Sequence, residues 1–434
     1  MTLLIISPDY ASHLFPLASL GTAWRDAGER VIVATGPATA DIVESFGFER
    51  VNLSLGKGSN PGVIRAEQQP TGEDDALRGF FEATRRGMVE TLAFQAEARL
   101  SDLMWEPVRV AREVQAVVAH IQPDAIIVDH LAFSARLALV AAGVPYADVV
   151  LGHPSALPVG DEVYGFPPAW PAAFDPSADE LRMLRELCDR VSKSFTAEWN
   201  TALAELAPSA PRSVSAFGEH GDLLLLNYPA ELSAPARTAI LPPHRFLGSA
   251  VREEARDAEV DAWLAESNEP FVYVSFGSFL SVRADVIARV CAALKRVGIR
   301  GAIAIGSADR AELGELPAEW LVREFLPQVT LLERAAAAVT HGGNNSVTES
   351  MTMGVPLVVL PFSTDQFAGA AALEDAGFGV SLAPNTATVA ELTDAVLRAL
   401  DLPAKAALAT LSAGLRQDAG SRRAFSAVAS VPTS

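Results

Sequence analysis

The chain has 434 residues, half of them hydrophobic and 20% charged, with 30 Gly and 28 Pro. This length exceeds the size at which a single hydrophobic core usually stops growing, so an ordinary globular protein of two domains is expected. The formal net charge of −19 argues against non-specific binding to nucleic acids or anionic membranes, and any phosphate site must therefore be local.

The start of the chain predicts a βαβ unit. Residues 3–7 have the pattern of a buried strand, residues 15–27 that of an amphipathic helix ended by Gly28, and residues 30–35 that of a second strand. The apolar start lacks a basic region and runs directly into polar residues, so we interpret it as a strand and not as a signal peptide. A βαβ start implies a parallel sheet with right-handed crossovers.

The rest of the first half continues this α/β pattern. Further strands are predicted at residues 125–129, 146–150 and 223–226, with helices between them. Residues 159–174 are rich in proline, glycine and aromatic residues and are predicted to be irregular. Insertions of this kind commonly carry binding surface. No apolar run reaches the roughly 18 residues that are needed to span a bilayer.

A proline-rich run followed by a charged helix marks the predicted connection between two domains. We predict a first domain over residues 1–235, a linker over 236–265 and a second domain over 266–410. A C-terminal helix over 411–434 could pack back on the first domain. The second domain repeats the α/β pattern, and two successive open α/β domains leave a cleft between their strand ends.

The most informative stretch of the chain reads THGGNNSVTES. A strand pattern at residues 336–340 leads to His341 and two glycines, and a helix then opens on Asn344, Asn345 and Ser346. The free backbone N–H groups and the dipole of such a helix suit an anion such as a diphosphate, and His341 could assist them. Asn and Ser at these positions are equally compatible with helix caps that bind no ligand.

Polar and aromatic residues around this stretch extend the hypothesis to a nucleotide sugar. Glu349 shares a helix face with Ser346 and could accept ribose hydroxyls, or it could simply be favoured by the helix dipole. Asp365 and Gln366 follow the next strand pattern and could hold a polyol or cap a loop. Phe325 could stack on a base or belong to the core.

Two residues at strand ends of the first domain could supply a general base. His13 lies between the first strand and its helix, and Asp129 ends the strand pattern AIIVD. Because both lie at the carboxyl edge of the sheet, the carboxylate could orient the imidazole and stabilise its protonated form. A helix-start histidine and a turn-capping aspartate would explain the same positions equally well.

Together these motifs resemble glycosyltransferase family 1, which has the GT-B fold and includes plant natural-product UDP-glycosyltransferases and bacterial macrolide and antibiotic glycosyltransferases. The resemblance covers nearly the whole chain and is most specific in FLPQ…THGGNNSVTES…GVPLVVLP…DQ. The chain departs from the family at Ser12, where a glycine is usual, and at Asn344 and Phe325, where plant members have tryptophan. The implied fold is two Rossmann-like, doubly wound parallel-sheet domains that face each other across a cleft.

The resemblance implies a role for each site residue. His13 would be the catalytic base and Asp129 its supporting carboxylate. The residues implied to bind the nucleotide sugar are Ser278, Phe325, Leu326, Gln328, His341, Gly343, Asn344, Asn345, Ser346, Glu349, Asp365 and Gln366. In this scheme Phe325 stacks on the base, Glu349 holds the ribose, and Asp365 with Gln366 binds the sugar.

The acceptor pocket is expected in the first domain, built from residues 70–105 and 152–175. Its expected wall residues are Phe80, Phe81, Met88, Trp105, Tyr164 and Phe166. Apolar walls of this kind would suit a polyketide, a macrolide or a flavonoid-like compound.

The expected activity is metal-independent, inverting transfer of a hexose from a UDP-glucose-type or dTDP-linked donor to a hydroxyl of a small lipophilic acceptor. No DxD motif lies near the sugar-binding candidates, and no cofactor, nucleic acid or stable membrane association is expected. Cys188 and Cys291 form no metal or disulfide pattern, which fits a cytoplasmic protein. A nucleotide-sugar epimerase of similar fold and a non-catalytic nucleotide-binding partner are the alternatives.

Overall fold

The computed structural model describes residues 1–62, 73–102 and 104–430. Within these residues the chain forms a seven-stranded sheet of order β3-β2-β1-β4-β5-β6-β7 and a six-stranded sheet of order β10-β9-β8-β11-β12-β13. Neighbouring strands are parallel in both sheets. No helix of the described chain is both long enough and apolar enough to cross a membrane.

The first domain holds the seven-stranded sheet between two layers of helices. Its strands are β1 (Thr2–Ile6), β2 (Arg30–Thr35), β3 (Glu49–Asn52), β4 (Ala125–Asp129), β5 (Ala147–Val150), β6 (Leu223–Leu226) and β7 (His244–Phe246). Its helices are α1 (Ala11–Asp26), α2 (Ala40–Ser45), α3 (Glu73–Arg86), α4 (Met88–Asp102), α5 (Pro107–Ile121), α6 (Phe133–Ala142), α7 (Ala178–Leu206) and α8 (Pro235–Thr238). Residues 159–174 are largely irregular, as predicted.

Side-chain alternation along β1 explains why this strand is apolar throughout. Leu3 and Ile5 pack into one layer of the core with residues of α1. Leu4 and Ile6 point to the opposite face and pack with residues of α5 and α6. A strand that is covered on both faces must be hydrophobic at successive positions, which is typical of parallel sheets.

The second domain repeats this architecture with six strands. They are β8 (Phe271–Ser275), β9 (Arg300–Ala304), β10 (Leu321–Arg323), β11 (Ala337–Thr340), β12 (Leu357–Val359) and β13 (Gly379–Ser381). Its helices are α9 (Ala258–Glu266), α10 (Gly277–Leu280), α11 (Ala284–Val297), α12 (Gln328–Leu332), α13 (Asn344–Met353), α14 (Gln366–Asp375), α15 (Val389–Leu400) and α16 (Lys405–Gln417); the final helix of the chain is α17 (Gly420–Ala429).

The connection between the domains is shorter than the predicted linker over residues 236–265. Strand β7 pairs with β6 and therefore belongs to the first sheet. Helix α9 packs Trp263 and Leu264 into the core of the second domain. The connection is thus confined to residues 247–257, because β7 is hydrogen-bonded into the first sheet and α9 packs into the core of the second domain.

The C-terminal region divides between the two domains. Helix α16 packs on α13, and Ser412 Oγ donates a hydrogen bond to the carbonyl of Thr352. Helix α17 instead contacts α1 of the first domain, where the rings of Phe425 and Trp24 meet edge-on at 5.0 Å. The region that the sequence suggested as one helix over 411–434 therefore contains the end of one helix and a second helix that returns to the first domain.

Replacing Phe425 with alanine tests how much the packing of α17 on the first domain contributes to stability. Trp24 is fully buried, and Phe425→Ala removes an aromatic partner from its edge. We expect a loss of about 1–3 kcal/mol in the free energy of unfolding, measured by urea denaturation. Ser426→Ala, at an exposed position of the same helix, is the control. An unchanged denaturation midpoint in Phe425→Ala would show that α17 does not stabilise the first domain.

Candidate active site

The carboxyl edges of the two sheets face each other across a cavity of about 780 Å³. The segments that follow β1, β4 and β5 line it from the first domain. The segments that follow β8, β11 and β12 line it from the second domain. Open α/β sheets bind ligands at this edge, so the cavity is the candidate site.

Among the interactions of the described residues, two hydrogen bonds join the domains at the cavity. Asn345 Nδ2 donates to the carbonyl of Ser12 at 3.3 Å, next to His13. The backbone N–H of His153 donates to Asp365 Oδ2 at 2.6 Å. A Cβ atom on Gly152 would lie 2.6 Å from the same carboxylate oxygen, so glycine is needed for this close approach. Residues predicted to bind the donor therefore contact the loops of the other domain.

His13 and Asp129 form a hydrogen-bonded pair. His13 Nδ1 lies 2.7 Å from Asp129 Oδ2, and Asp129 Oδ1 accepts the backbone N–H of Leu131 at 2.8 Å. The Asp129 side chain is 1% exposed and that of His13 is 21% exposed. Because an ionised carboxylate only accepts hydrogen bonds, Nδ1 carries the proton, and Nε2 is left with a lone pair in the neutral ring.

The surroundings raise the pKa of His13. Burial lowers the pKa of this imidazole, but the Asp129 carboxylate, its hydrogen bond and the more distant charge of Asp365 outweigh the burial and raise the pKa above its ordinary value of 6.5. The protonated ring is therefore stabilised where it would form if His13 removed a proton from a substrate.

Asp129→Asn should lower the pKa of His13, because the charge that stabilises the imidazolium is removed. The pair contributes stability below pH 6.5, and this contribution is lost as the pH rises through the raised pKa of His13. A pH titration of the histidine ring by NMR should give a midpoint above 6.5 in the wild type and a lower one in Asp129→Asn. Asp26→Asn, at the exposed end of α1, is the control. Equal midpoints in all three proteins would contradict the coupling.

The start of α13 can hold an anion. Gly343 precedes the helix and provides no side-chain cap. Within the described residues, the first helical hydrogen bond runs from the N–H of Val347 to the carbonyl of Gly343, at 3.0 Å. The N–H groups of residues 344–346 therefore lack helical acceptors and meet the cavity at the positive end of the dipole. These are the features that favour a phosphate group.

His341 is packed against this helix start. A Cβ on Gly343 would lie 2.4 Å from His341 Nε2, and one on Gly277 would lie 2.9 Å from His341 Cε1. Both glycines are thus required for the imidazole to fit between the two loops. Burial lowers the pKa of His341 to about 4, which the Ser275 carbonyl opposes only in part, so the ring is neutral at pH 7.

Glu349 lies behind the cavity surface in this structure. Its side chain is 3% exposed, and Glu349 does not line the cavity among the described residues. Gln328 Nε2 donates to Glu349 Oε2 at 2.5 Å, and Arg252 Nη1 lies 3.4 Å from Glu349 Oε1. Gln328, Arg252 and Ser346 line the cavity in its place. The expected direct contact between Glu349 and ribose thus requires these side chains to move.

Arg252 is a site residue that the sequence analysis missed. It belongs to the connection between the domains, lies 2.9 Å from Glu254, and has its guanidinium 5.1 Å from the centre of the Phe15 ring. Burial raises the pKa of Glu349, while Arg252 and Gln328 oppose this rise. The only sequence signal was a charged run in a predicted linker, which does not indicate a buried ion pair.

Arg252→Met should be strongly destabilising, because it leaves Glu349 buried without a cation. We expect a loss of about 3–5 kcal/mol in the free energy of unfolding, measured by urea denaturation. The double variant Arg252→Met/Glu349→Gln should recover part of this loss. Arg256→Met is the control, since Arg256 is 92% exposed in the same connection. Equal stability of the single and double variants would mean that the two side chains are not coupled.

Asp365 and Gln366 both line the cavity, but they differ in how many of their hydrogen-bonding positions are already paired within the protein. Gln366 Oε1 accepts the N–H groups of Phe362 and Ser363 at 3.0 and 3.2 Å, and its Nε2 donates to Ser363 Oγ at 3.1 Å. Asp365 accepts from His153 N and from Thr364 Oγ1. Burial raises the pKa of Asp365, and the His153 N–H opposes this rise. Gln366 therefore braces the loop, whereas Asp365 retains free lone pairs.

The structure brings most of the predicted donor residues to the cavity. Phe325 is 60% exposed there, as a ring must be if it is to stack on a base. The other predicted donor residues that line the cavity are Leu326, Gln328, His341, Gly343, Asn344, Asn345, Ser346, Asp365 and Gln366. The side chain of Ser278 lies outside the described part of the structure.

Only half of the predicted acceptor wall reaches the cavity. Phe80, Tyr164 and Phe166 line it, together with residues that the sequence analysis missed: Leu92, Phe94, Gln95 and Phe133. Phe81, Met88 and Trp105 do not line it in the described structure. Successive helical residues point about 100° apart, so Phe80 and Phe81 cannot share a face.

The other two corrected residues have structural positions. Met88 is 6% exposed and packs into the core beneath α7. Trp105 packs beside α5, with the guanidinium of Arg109 4.6 Å from its ring centre. Their apolar character is explained by this packing without a ligand.

Comparison with known proteins identifies the family. Residues 180–419 match the family model described as UDP-glucoronosyl and UDP-glucosyl transferase. The chain belongs to this family. It is 29% identical over 152 residues to NDP-glycosyltransferase YjiC of Bacillus subtilis, which is 35% of this chain and 38% of that protein. In several such matches the alignment covers only about a third of the relative's length. With glycosyltransferase GtfC of Amycolatopsis orientalis, the identity is 25% over 96% of this chain and 95% of that protein.

Solved structures show the same fold. The glycosyltransferase of kitacinnamycin superposes with a TM-score of 0.69 at 21% identity, covering 99% of this chain and 98% of that chain. A spinosyn rhamnosyltransferase complexed with thymidine diphosphate superposes with a TM-score of 0.65 at 18% identity, covering 99% and 100%. The fold of the family member described here is therefore GT-B, with two Rossmann-like parallel-sheet domains, as the sequence predicted.

Proposed function

We propose that this family member is an inverting glycosyltransferase that moves a hexose from a nucleotide-diphosphate sugar to a hydroxyl of a small lipophilic natural product. The observation that carries the proposal is that the His13–Asp129 pair and the open start of α13 line one cavity from opposite domains. A base on one side and an anion site on the other match the two substrates of a sugar transfer, which are the acceptor hydroxyl and the diphosphate of the donor. The similarity to the oleandomycin glycosyltransferase of Streptomyces antibioticus and to the elloramycin glycosyltransferase of Streptomyces olivaceus supports the acceptor class.

In the proposed reaction, His13 Nε2 removes the proton of the acceptor hydroxyl as its oxygen attacks the anomeric carbon. The new carbon–oxygen bond forms while the bond to the diphosphate breaks, so one displacement inverts the anomeric centre. Asp129 stabilises the imidazolium, and the charge that grows on the diphosphate meets the N–H groups of α13 and the neutral ring of His341. We propose that this charge is stabilised without a metal or cofactor.

The donor contacts follow from which side chains reach the cavity. We propose that Phe325 stacks on the base and that Gln328 and Ser346 lie nearest the ribose, with Glu349 acting through Gln328. Asp365 has lone pairs available for sugar hydroxyls. Both UDP-linked and dTDP-linked donors fit this arrangement, and the rhamnosyltransferase structure with thymidine diphosphate supports the latter.

The test is transfer itself. UDP-glucose and dTDP-glucose are each incubated with a panel of polyketide, macrolide and flavonoid aglycones, and products are analysed by mass spectrometry and by NMR of the anomeric centre. We expect an inverted glycoside, and competition between UDP and dTDP for binding should identify the preferred base. Epimerised donor without acceptor would instead support an isomerase. Nucleotide binding without any reaction would support a non-catalytic partner.

His13→Ala tests the assignment of the base. We expect kcat to fall by about 10²–10⁴-fold with little change in nucleotide affinity, because general base catalysis contributes about that much and His13 lies in the other domain from the anion site. His220→Ala, an exposed histidine, is the control. Full activity of His13→Ala with a hydroxyl acceptor would remove His13 from the mechanism.

A further inference from the structure

Helix α4 presents polar side chains to a part of the cavity whose other walls are apolar. Leu92, Gln95 and Arg99 line the cavity, and their spacing of three and four residues places them on one face of the helix. Phe80 and Phe133 line the same cavity from α3 and α6. The proposed transfer chemistry uses neither Gln95 nor Arg99, and the buried side-chain oxygen of Gln95 requires an explanation of its own.

The side-chain oxygen of Gln95 is buried and has no hydrogen-bond partner within the described residues. A buried acceptor without a donor destabilises the fold, and an apolar side chain of similar shape would not carry this cost. In most proteins such an oxygen is paired with protein or water. Because the Gln95 side chain lines the cavity, a rotation of its terminal amide would bring this oxygen to the cavity surface, where a bound molecule can supply the missing donor.

Arg99 is held at the same wall by aromatic stacking. Its guanidinium carbon lies 5.3 Å from the centre of the Tyr164 ring. Tyr164 in turn stacks on Phe217 at 3.8 Å with an angle of 5° between the rings, and Phe217 stacks on Phe195 at 4.3 Å. A planar cation fixed on a stack of rings is pre-organised to donate hydrogen bonds to an oxygen.

We propose that Gln95 and Arg99 form a polar subsite that selects the acceptor, a role that rests on the proposed transferase function. Gln95 Oε1 would accept a hydrogen bond from a hydroxyl or N–H of the acceptor. Arg99 would donate to a neighbouring carbonyl, phenolate or carboxylate oxygen. The acceptor class is therefore a ring compound with a hydroxyl group and an electron-rich oxygen on one edge, such as a hydroxylated aromatic polyketide acid, and not a hydrocarbon skeleton with a single hydroxyl.

Binding to matched compounds tests this subsite without depending on transfer. The probes are a dihydroxyanthraquinone carboxylic acid, its methyl ester and its hydroxyl-methylated ether, and their affinities are measured by calorimetry in the full-length protein. We expect the wild type to bind the acid about tenfold more tightly than either capped compound, which is the size of effect of one hydrogen bond. In Arg99→Met, the affinity for the acid should exceed that for the methyl ester by no more than about twofold. In Gln95→Met, the affinity for the acid should exceed that for the methylated ether by no more than about twofold.

A matched control and a stability measurement separate recognition from structure. Glu97→Gln changes an exposed position of the same helix and should keep both preferences. Gln95→Met should have a Tm equal to or above that of the wild type, because it removes an unpaired buried oxygen, whereas a structural role would lower the Tm. A wild type that does not prefer the acid, or variants that retain both preferences, would overturn the proposal.

The two proposals fail separately in these experiments. Binding of UDP and dTDP and transfer to the aglycone panel are measured on the same preparations. If the wild type distinguishes the three compounds but transfers no sugar, the subsite stands and the transferase function fails. If transfer occurs and Gln95→Met and Arg99→Met leave the preferences unchanged, the subsite fails and the function stands.

Discussion

The common direction of the strands is the constraint on which the site depends. Because neighbouring strands are parallel in each sheet, the segments that follow β1, β4, β11 and β12 leave their sheets at the carboxyl edges. His13 and Asp129 are delivered to one wall of the cavity in this way, and His341 and Asp365 to the other. These residues are far apart in sequence, yet each lies at or within a few residues of a strand end, so no long loop is needed to bring them together. The meeting of these side chains follows from the topology, and the loops supply only their final orientation.

Burial makes this meeting of polar groups costly, and the partners of each group show how the cost is offset. The cost of burying the Asp129 carboxylate is offset by His13 and a backbone N–H. The cost of burying Glu349 is offset by Gln328 and Arg252. Arg252 comes from the connection between the domains and also contacts Phe15 of the first domain. One cation thus neutralises a carboxylate of the second domain while it packs on the first. The connection is part of the site and not merely a tether.

The sequence could predict what depends on local pattern. Interior strands such as β1 and β11 are continuous apolar runs, and the His-Gly-Gly-Asn stretch marks a strand–turn–helix unit without reference to the rest of the chain. The strands that it missed, β3, β7, β10 and β13, are the edges of the two sheets and are only three or four residues long. Edge strands are short and carry few buried residues, so their pattern is weak. Which face Phe81 presents and which side chain covers Glu349 depend on tertiary packing, which no local pattern records.

Two contacts between the domains at the cavity use groups that are proposed to hold the donor. Asn345 bonds the carbonyl before His13, and Asp365 accepts the N–H of His153. A carboxylate has about four lone-pair positions, so Asp365 can accept sugar hydroxyls while it keeps its bond to His153. The backbone N–H groups of α13 are likewise independent of the side chain of Asn345. The arrangement of the domains seen here is therefore compatible with a bound donor, and the proposed donor contacts add to those between the domains instead of replacing them. Such additive contacts would favour the closed cleft that excludes water from the transferred sugar.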